Sequence, residues 1–195
     1  MAKKYYAVRV GKKTGIYQNW NECKAMVDGY SGAVYKSFTD IAEAELFLHG
    51  VSQKQNRTVY AFVDGSYNLA TKTYGYGGFL VANNEKYILQ GFGNETDMAS
   101  MRNVAGEILG CMAAVKKALE LGLEELSIYY DYMGIEMWAK GSWKRNKIGT
   151  IAYYNYMQSV KDKIKVNFIK VKGHSGIEGN EEADRLAKKA VGILE

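Results

Sequence analysis

The chain lacks proline altogether and is poor in cysteine and histidine, with two of each among its 195 residues. Without proline, X-Pro isomerisation cannot slow folding, and turns must depend on glycine, asparagine and aspartate. The two cysteines, Cys23 and Cys111, lie far apart in apolar-rich segments. We therefore expect buried free thiols in a reducing compartment rather than a disulfide.

Long apolar runs are also absent, and with them the sequence signature of a membrane protein. The basic residues Lys3 and Lys4 near the start are not followed by the apolar stretch of a signal peptide. No segment approaches the roughly 20 apolar residues that a transmembrane helix requires. The sequence therefore predicts a cytoplasmic protein with no membrane partner.

Apolar residues and positive charge are what the chain does contain. An apolar fraction of 47% is ample for a packed core. The formal net charge of +5 suits a polyanionic partner such as a nucleic acid, although many basic proteins have no such partner. Charge alone is therefore compatible with nucleic-acid binding but does not establish it.

The first fifty residues have the pattern of a small unit of their own. Apolar alternation predicts its strands, and Asn19 or Asn21 could cap its first helix. The expected strands and helices lie, in order, at 5–10, 16–17, 22–27, 34–38 and from 40 onward. Residues 49–57 are polar and lack periodicity, which is typical of a linker. We therefore divide the chain into a module at 1–48, a linker at 49–57 and a larger unit at 58–195.

The larger unit begins with three strand patterns and continues with helices and strands. The expected strands lie at 58–64, 75–82, 86–93, 126–131 and 165–171. The expected helices lie at 100–121, 133–140, 150–161 and 179–191. Gly106 and Gly110 share one face of the long helix, and each costs roughly 1 kcal/mol relative to alanine, so we expect close packing there. An antiparallel meander followed by strand–helix–strand order predicts an α/β fold, a mixed sheet with helices on its faces.

Four acids stand at positions that such a fold could bring together. Asp64 and Asp131 each end a strand pattern, whereas Glu107 and Asp184 lie inside helical patterns. Carboxylates that end adjacent strands leave the sheet at the same edge, and helices packed on the sheet can add two more. Such a cluster would repel itself unless divalent cations neutralised it, and oxygen-only ligands favour Mg²⁺ or Mn²⁺ over zinc. The pattern therefore predicts a metal-dependent enzyme that acts on phosphate esters.

Three of these acids also have a simpler explanation: Asp64, Asp131 and Asp184. An acid at the end of a strand is often only a solvated turn residue. Asp184 lies beside Arg185 and one helical turn before Lys188, so it could form an ion pair on the helix surface, worth at most about 1 kcal/mol. The ordered set of four acids is what favours the metal site.

Motifs around these acids carry a resemblance to a known family. They are Val63-Asp64-Gly65-Ser66, Gly106-Glu107, Tyr130-Asp131, Val171-Lys172-Gly173-His174 and Gly179-Asn180-Glu181-Glu182-Ala183-Asp184. In this order, residues 58 to about 192 resemble the catalytic domain of type 1 ribonuclease H, which has a mixed five-stranded sheet. The first module has its own motifs: Tyr6-Ala7-Val8-Arg9, Lys12-Lys13-Thr14-Gly15, Trp20-Asn21-Glu22-Cys23 and Tyr35-Lys36-Ser37-Phe38. They resemble the small three-stranded α+β module that binds RNA–DNA hybrids and precedes this domain in many such enzymes.

The resemblance implies hydrolysis of the RNA strand of an RNA–DNA hybrid, leaving 5′-phosphate and 3′-hydroxyl ends. It implies that Asp64, Glu107, Asp131 and Asp184 hold two Mg²⁺ ions, for which Mn²⁺ could substitute. Asp64 would bridge both ions, Asp184 would serve the ion at the attacking water, and the other two would serve the leaving-group side. His174 would take part in proton handling or product departure. An organic cofactor is not expected, and the catalytic domain is expected to be monomeric.

The resemblance also assigns contacts with the hybrid. Gly65, Ser66 and Asn103 match positions that contact RNA, and Trp138 and Trp143 match aromatic positions that line the DNA groove. In the module, the expected contacts are Tyr6, Lys12, Lys13, Trp20, Tyr35 and Lys36. Trp20 and Trp138 could instead be ordinary packing residues.

The chain departs from the better-known pattern at several positions. Arg102 stands where a small hydroxyl residue usually helps to form a phosphate pocket, and Ser37 replaces a commonly basic residue. The region 140–150 lacks the long basic protrusion of some relatives. Two other functions stay open: a binding protein of this fold that does not cut, and a related nuclease or transposase that acts on DNA. The hybrid-binding module and Asn103 favour the hybrid.

Overall fold

The computed structural model describes residues 4–48, 59–173 and 177–194. It divides into two compact units, Met1–Asn56 and Arg57–Glu195. The linker expected at 49–57 lies outside the described residues, as does His174.

The first unit is a three-stranded antiparallel sheet with a helix on each face. Its elements are β1 (Tyr5–Val10), β2 (Gly15–Tyr17), α1 (Trp20–Val27), β3 (Val34–Phe38) and α2 (Ile41–Leu48), and its strand order is β2-β1-β3. Successive residues of β1 bury opposite faces: Ala7 packs with Phe38 and Ala44, and Val8 packs with Cys23 and Val27. Asn19 caps α1 through its Oδ1, which accepts a hydrogen bond from the backbone N–H of Glu22 at 2.9 Å.

The second unit is a five-stranded mixed sheet with helices on both faces, so the predicted fold class is confirmed. Its strands are β4 (Tyr60–Asn68), β5 (Thr73–Ala82), β6 (Glu85–Gly93), β7 (Glu125–Tyr130) and β8 (Lys165–Lys170). Its helices are α3 (Thr96–Ala99), α4 (Asn103–Glu120), α5 (Gly134–Ala139), α6 (Ile148–Val160) and α7 (Glu178–Ala190). The strand order is β6-β5-β4-β7-β8, in which β4, β5 and β6 are antiparallel and β7 runs parallel to β4 and β8.

Close backbone contacts place α4 and α7 on opposite faces of this sheet. A Cβ on Gly106 of α4 would lie 1.9 Å from the carbonyl oxygen of Gly75, so no side chain fits there. A Cβ on Gly77 of β5 would lie 2.0 Å from the backbone N of Ala187 in α7. Tyr76, the neighbour of Gly77 in the strand, contacts α4 instead. The close packing expected at Gly106 is therefore confirmed.

The hairpin between β4 and β5 is longer than predicted. The sequence favoured a strand that ended at Asp64 and a turn over 67–74, but β4 continues to Asn68 and β5 begins at Thr73. The glycine and polar residues after Asp64 have the composition of a turn, yet they pair in register with β5. Asp64 therefore lies inside its strand rather than at the end.

The segment before α4 also differs from the expectation. The short helix α3 was not predicted, and α4 begins at Asn103 rather than near Ser100. Arg102, just before α4, has φ of 53°, a backbone conformation that non-glycine residues rarely adopt. A pattern of apolar spacing contains no signal for such a backbone conformation.

Two other expectations can be compared with the described residues. Cys23 and Cys111 are both buried and free, as predicted. None of the described helices is long and apolar enough to cross a membrane.

Candidate active site

Strand register places Asp64 and Asp131 side by side. In the parallel pair of β4 and β7, Phe62 lies opposite Tyr129, and their rings stack with centroids 4.5 Å apart. Asp64 and Asp131 each follow two residues later, so they project from the same face at the same level. Strand β7 ends at Tyr130, immediately before Asp131, whereas β4 continues past Asp64 to Asn68.

Glu107 reaches these two acids from α4 because Gly65 has no side chain. A Cβ on Gly65 would lie 2.2 Å from the carbonyl oxygen of Asn103 and 2.5 Å from the backbone N of Glu107. This close approach sets the first turns of α4 directly beside Asp64. Carboxylate oxygens of Asp64, Glu107 and Asp131 lie within 4.8 Å of one another. The structure thus brings three of the four predicted acids into one cluster.

Burial makes this cluster electrostatically costly. Glu107 is 2% exposed and Asp64 is 8% exposed. Burial raises the pKa of Glu107 well above its ordinary value, and the charges of Asp64 and Asp131 add to the rise. Burial also raises the pKa of Asp64, to about 6. Hydrogen bonds with Glu107 and with the backbone N–H of Gly65 act in the opposite direction and lower this pKa. Ionised carboxylates at this density require positive charge nearby.

The donor set fits a hard divalent cation. All three side chains offer carboxylate oxygens, the ligand type that Mg²⁺ and Mn²⁺ prefer. Within the described residues, Oε2 of Glu107 is buried and has no hydrogen-bond partner. A buried carboxylate oxygen without a partner is costly in the metal-free protein, and a bound cation would satisfy it.

Asp184 lies near the cluster but outside the group of three. Burial is the largest cause of the raised pKa of Asp64, and the charge of Asp184 makes the smallest contribution to it. Oδ2 of Asp184 accepts a hydrogen bond from Nζ of Lys188 at 2.7 Å, one turn further along α7. The ion pair considered as the simpler explanation is therefore present, and the acid still acts on the cluster.

The glycine before His174 contacts the cluster directly. A Cβ on Gly173 would lie 2.7 Å from Oδ2 of Asp131. Gly173 therefore allows the chain to pass close to Asp131 just before it reaches position 174, which is outside the described residues.

Of the three expected RNA contacts, Gly65 and Asn103 lie together beside Asp64. Asn103 is exposed at the start of α4, where its side chain is accessible. Ser66, the third of these residues, is buried.

Aromatic side chains form a connected surface that begins next to Asp131. Tyr132 contacts Trp138 with ring centroids 5.8 Å apart, and Trp138 meets Trp143 edge to face at 5.7 Å. Nε1 of Trp138 donates a hydrogen bond to the carbonyl oxygen of Lys144 at 3.2 Å, while Trp143 is exposed. Sequence reasoning missed Tyr132, although its place immediately after a metal-ligand candidate was a usable signal.

A second aromatic group lies in the first unit. Trp20 lies between Tyr6 and Tyr35, with centroid distances of 5.7 and 5.8 Å. Trp20 is 41% exposed and Tyr35 is also exposed, so this group is a surface feature rather than a core. Three lysines expected to contact hybrid are likewise exposed: Lys12, Lys13 and Lys36.

Comparisons with known proteins agree with both units. Residues 4–48 match the family described as ribonuclease H1 N-terminal domain, and residues 56–192 match the family described as RNase H. Ribonuclease H of Saccharomyces cerevisiae is 59% identical over 44 residues, which are 23% of this chain and 13% of that protein. Ribonuclease H1 of Homo sapiens is 26% identical over 95% of this chain and 88% of its own length. Among solved structures, LC11-RNase H1 in complex with RNA/DNA hybrid is 15% identical and covers 70% of this chain and 98% of that chain, with a TM-score of 0.56.

Proposed function

Because this chain belongs to the ribonuclease H family, as a type 1 ribonuclease H with an N-terminal hybrid-binding domain, we propose that it hydrolyses the RNA strand of RNA–DNA hybrids with two divalent cations. The observation that carries the proposal is the buried cluster of Asp64, Glu107 and Asp131, whose oxygens lie within 4.8 Å of one another. A solved protein of the same fold was crystallised with an RNA/DNA hybrid, which agrees with this substrate.

The positions of the acids suggest which cation each would bind. Asp64 has carboxylate oxygens within 4.8 Å of those of Glu107 and Asp131 and also feels the charge of Asp184, so it would be the residue that holds both cations. Bound cations supply ionisation of the attacking water and stabilisation of the departing 3′-oxygen, which gives 5′-phosphate and 3′-hydroxyl ends. Glu107 and Asp131 serve the leaving-group side, Asp184 serves the side of the attacking water, and His174 handles the proton or the departing product.

Recognition of the hybrid depends on two different surfaces. The RNA strand is sensed through its 2′-hydroxyl, for which Asn103 and the backbone of Gly65 lie beside the acids. The DNA strand packs on the surface formed by Tyr132, Trp138 and Trp143, because aromatic faces stack on sugars and bases without reading sequence. The module adds affinity through Trp20 and through the exposed residues Lys12, Lys13 and Lys36.

A strand-resolved cleavage assay tests the proposal. An RNA–DNA hybrid of mixed sequence, with a different dye on each strand, is incubated with the full chain and Mg²⁺, beside double-stranded RNA and double-stranded DNA. We expect only the RNA strand of the hybrid to shorten, and we expect EDTA to stop the reaction. Equal cutting of all three duplexes, or cutting of the DNA strand, would overturn the substrate assignment. Hybrid binding without any cleavage would favour the non-cutting alternative.

A further inference from the structure

One side chain near the cluster has the opposite charge and has no part in the proposed reaction. Nζ of Lys188 lies 2.7 Å from Oδ2 of Asp184, and both residues belong to α7. The side chain of Asp184 is 25% exposed and that of Lys188 is 36% exposed. The pair is therefore partly shielded from solvent, which weakens screening by salt.

The ion pair and the acid cluster compete for the same carboxylate. Asp184 stands outside the three acids whose oxygens lie within 4.8 Å of one another, although its charge acts on Asp64. An Asp four residues before a Lys is the favourable order for an ion pair on a helix, so the helix geometry of α7 itself stabilises the pair. While Nζ of Lys188 holds Oδ2, that oxygen is not free to bind a metal cation. The ammonium charge also repels a cation that approaches Oδ1, so Lys188 weakens cation binding at both oxygens of Asp184.

We propose that Lys188 is a positioning residue that acts as an internal counter-cation for Asp184 and opposes the binding of divalent cations at this corner of the site. The inference rests on the proposed function, because it assumes that Asp184 is a metal ligand. In the metal-free protein, Lys188 neutralises Asp184 and so reduces repulsion within the cluster. Lys188 has to release Oδ2 before both oxygens of this carboxylate are available to a cation. The strength of the pair then sets the cation concentration that the site requires.

The direct test is the affinity of the full chain for Mn²⁺ without nucleic acid. Calorimetry and the electron paramagnetic resonance signal of free Mn²⁺ give the Kd for the wild type and for Lys188→Gln. We expect the variant to bind Mn²⁺ about threefold more tightly, the effect of removing one partly exposed ion pair. Lys188→Arg retains a charged partner for Asp184 and should stay near the wild-type Kd.

A matched control separates the pair from the general loss of one positive charge. Lys189, the next residue of α7, is exposed, and Lys189→Gln removes the same charge from the same helix. We expect its Kd for Mn²⁺ to change by less than about 1.5-fold. In an Asp184→Asn background, Lys188→Gln should lose its effect, because the oxygen for which the two cations compete is no longer charged.

The outcomes distinguish this inference from the proposed function. Cleavage of hybrid by the wild type, together with an unchanged or weaker Kd for Mn²⁺ in Lys188→Gln, would overturn the role of Lys188 alone. An equal effect of Lys189→Gln would also overturn it. Tighter Mn²⁺ binding in Lys188→Gln, in a chain that fails to cut hybrid, would refute the proposed function and leave the competition intact. Thermal unfolding in EDTA verifies that each variant is folded.

Discussion

The buried acids of the cluster would be poor choices for stability alone. Glu107 is almost completely buried, and one of its oxygens has no hydrogen-bond partner among the described residues. Asp64 is nearly as deeply buried and feels two further negative charges, from Asp131 and Asp184. Clusters of buried acids with raised pKa values are typical of functional sites, where they are retained although they destabilise the fold. The cost should therefore be measurable in the metal-free protein.

The first prediction concerns Asp64→Asn, which retains the size of the side chain and removes its charge. Detectable hybrid cleavage should disappear because the central ligand is lost, while hybrid binding measured by fluorescence anisotropy should stay within about twofold. In EDTA, the free energy of unfolding at neutral pH should rise by about 1–2 kcal/mol because repulsion is relieved. Asp97→Asn, at an exposed position of α3, is the control and should change neither activity nor stability. Residual cleavage by Asp64→Asn would refute its role as a metal ligand.

The second prediction concerns pH and follows from the same raised pKa values. In the folded state the pKa of Asp64 is about 6, mainly because of burial, and burial raises that of Glu107 as well. In the unfolded chain both acids have ordinary values near 4. Between these values the folded state binds more protons, so the free energy of unfolding should fall as the pH rises from about 4.5 to above 6.

Chemical unfolding in EDTA across this pH range measures the slope. Addition of Mg²⁺ at about pH 7.5 should restore stability, because cations bind the ionised cluster of the folded state and not the unfolded chain. Comparison with Asp64→Asn isolates the contribution of the cluster from that of other groups, and the variant should have a shallower slope. A variant slope equal to that of the wild type would contradict the electrostatic account.

At the scale of elements, apolar spacing was enough to predict most strands and helices of both units. It failed where long-range pairing overrides local composition. The segment 65–68 has the composition of a turn, but its hydrogen-bonded partners in β5 hold it in the sheet. Helix α3 has only four residues, which is too short for a periodic signal. The four candidate acids stood out because each lay within or at the end of a distinct predicted element, whereas the Asp184–Lys188 pair could be considered only as an alternative.

The third prediction compares two glycines of α4. Replacing either glycine by alanine should favour the helix itself by roughly 1 kcal/mol. In Gly106→Ala, however, the new Cβ would lie 1.9 Å from the backbone oxygen of Gly75, which cannot move without disturbing β5. In Gly110→Ala it would lie 3.3 Å from Cβ atoms of Tyr76 and Val63, which a small shift can relieve. We expect Gly106→Ala to lose about 3 kcal/mol or more, and Gly110→Ala to stay within about 1 kcal/mol of the wild type.

Urea unfolding of the two variants checks this order, and activity adds a second measurement. Because α4 carries Glu107 against Gly65, displacement of the helix by Gly106→Ala should also reduce cleavage. Gly110→Ala is the matched control for helix propensity. Equal stability of the two variants would show that Gly106 of α4 does not pack closely against Gly75 of β5.

At the scale of the whole molecule, the chain joins a catalytic unit to a second unit with its own exposed aromatic group. Binding of one unit to a hybrid raises the effective concentration of the other on the same duplex, so modest contacts in each give a higher overall affinity. The sequence identified this second group through the motifs around Trp20, but it left open whether Trp20 is a core residue or a binding surface. Trp20 and its neighbour Tyr35 are both exposed, which favours a binding surface over a core.

The last prediction tests that division of work with Trp20→Ala in the full chain. Base stacking on an aromatic ring is worth about 1–3 kcal/mol, so the KM for hybrid should rise roughly tenfold. The kcat should stay unchanged, because the acids belong to the other unit and saturating hybrid compensates for weaker binding. Tyr30→Ala is the control, since Tyr30 is 42% exposed, like Trp20, but is not part of the Tyr6–Trp20–Tyr35 group. If Trp20→Ala lowers the melting temperature without changing the KM, Trp20 is a packing residue. If Tyr30→Ala raises the KM as much as Trp20→Ala does, the aromatic group is not the binding surface.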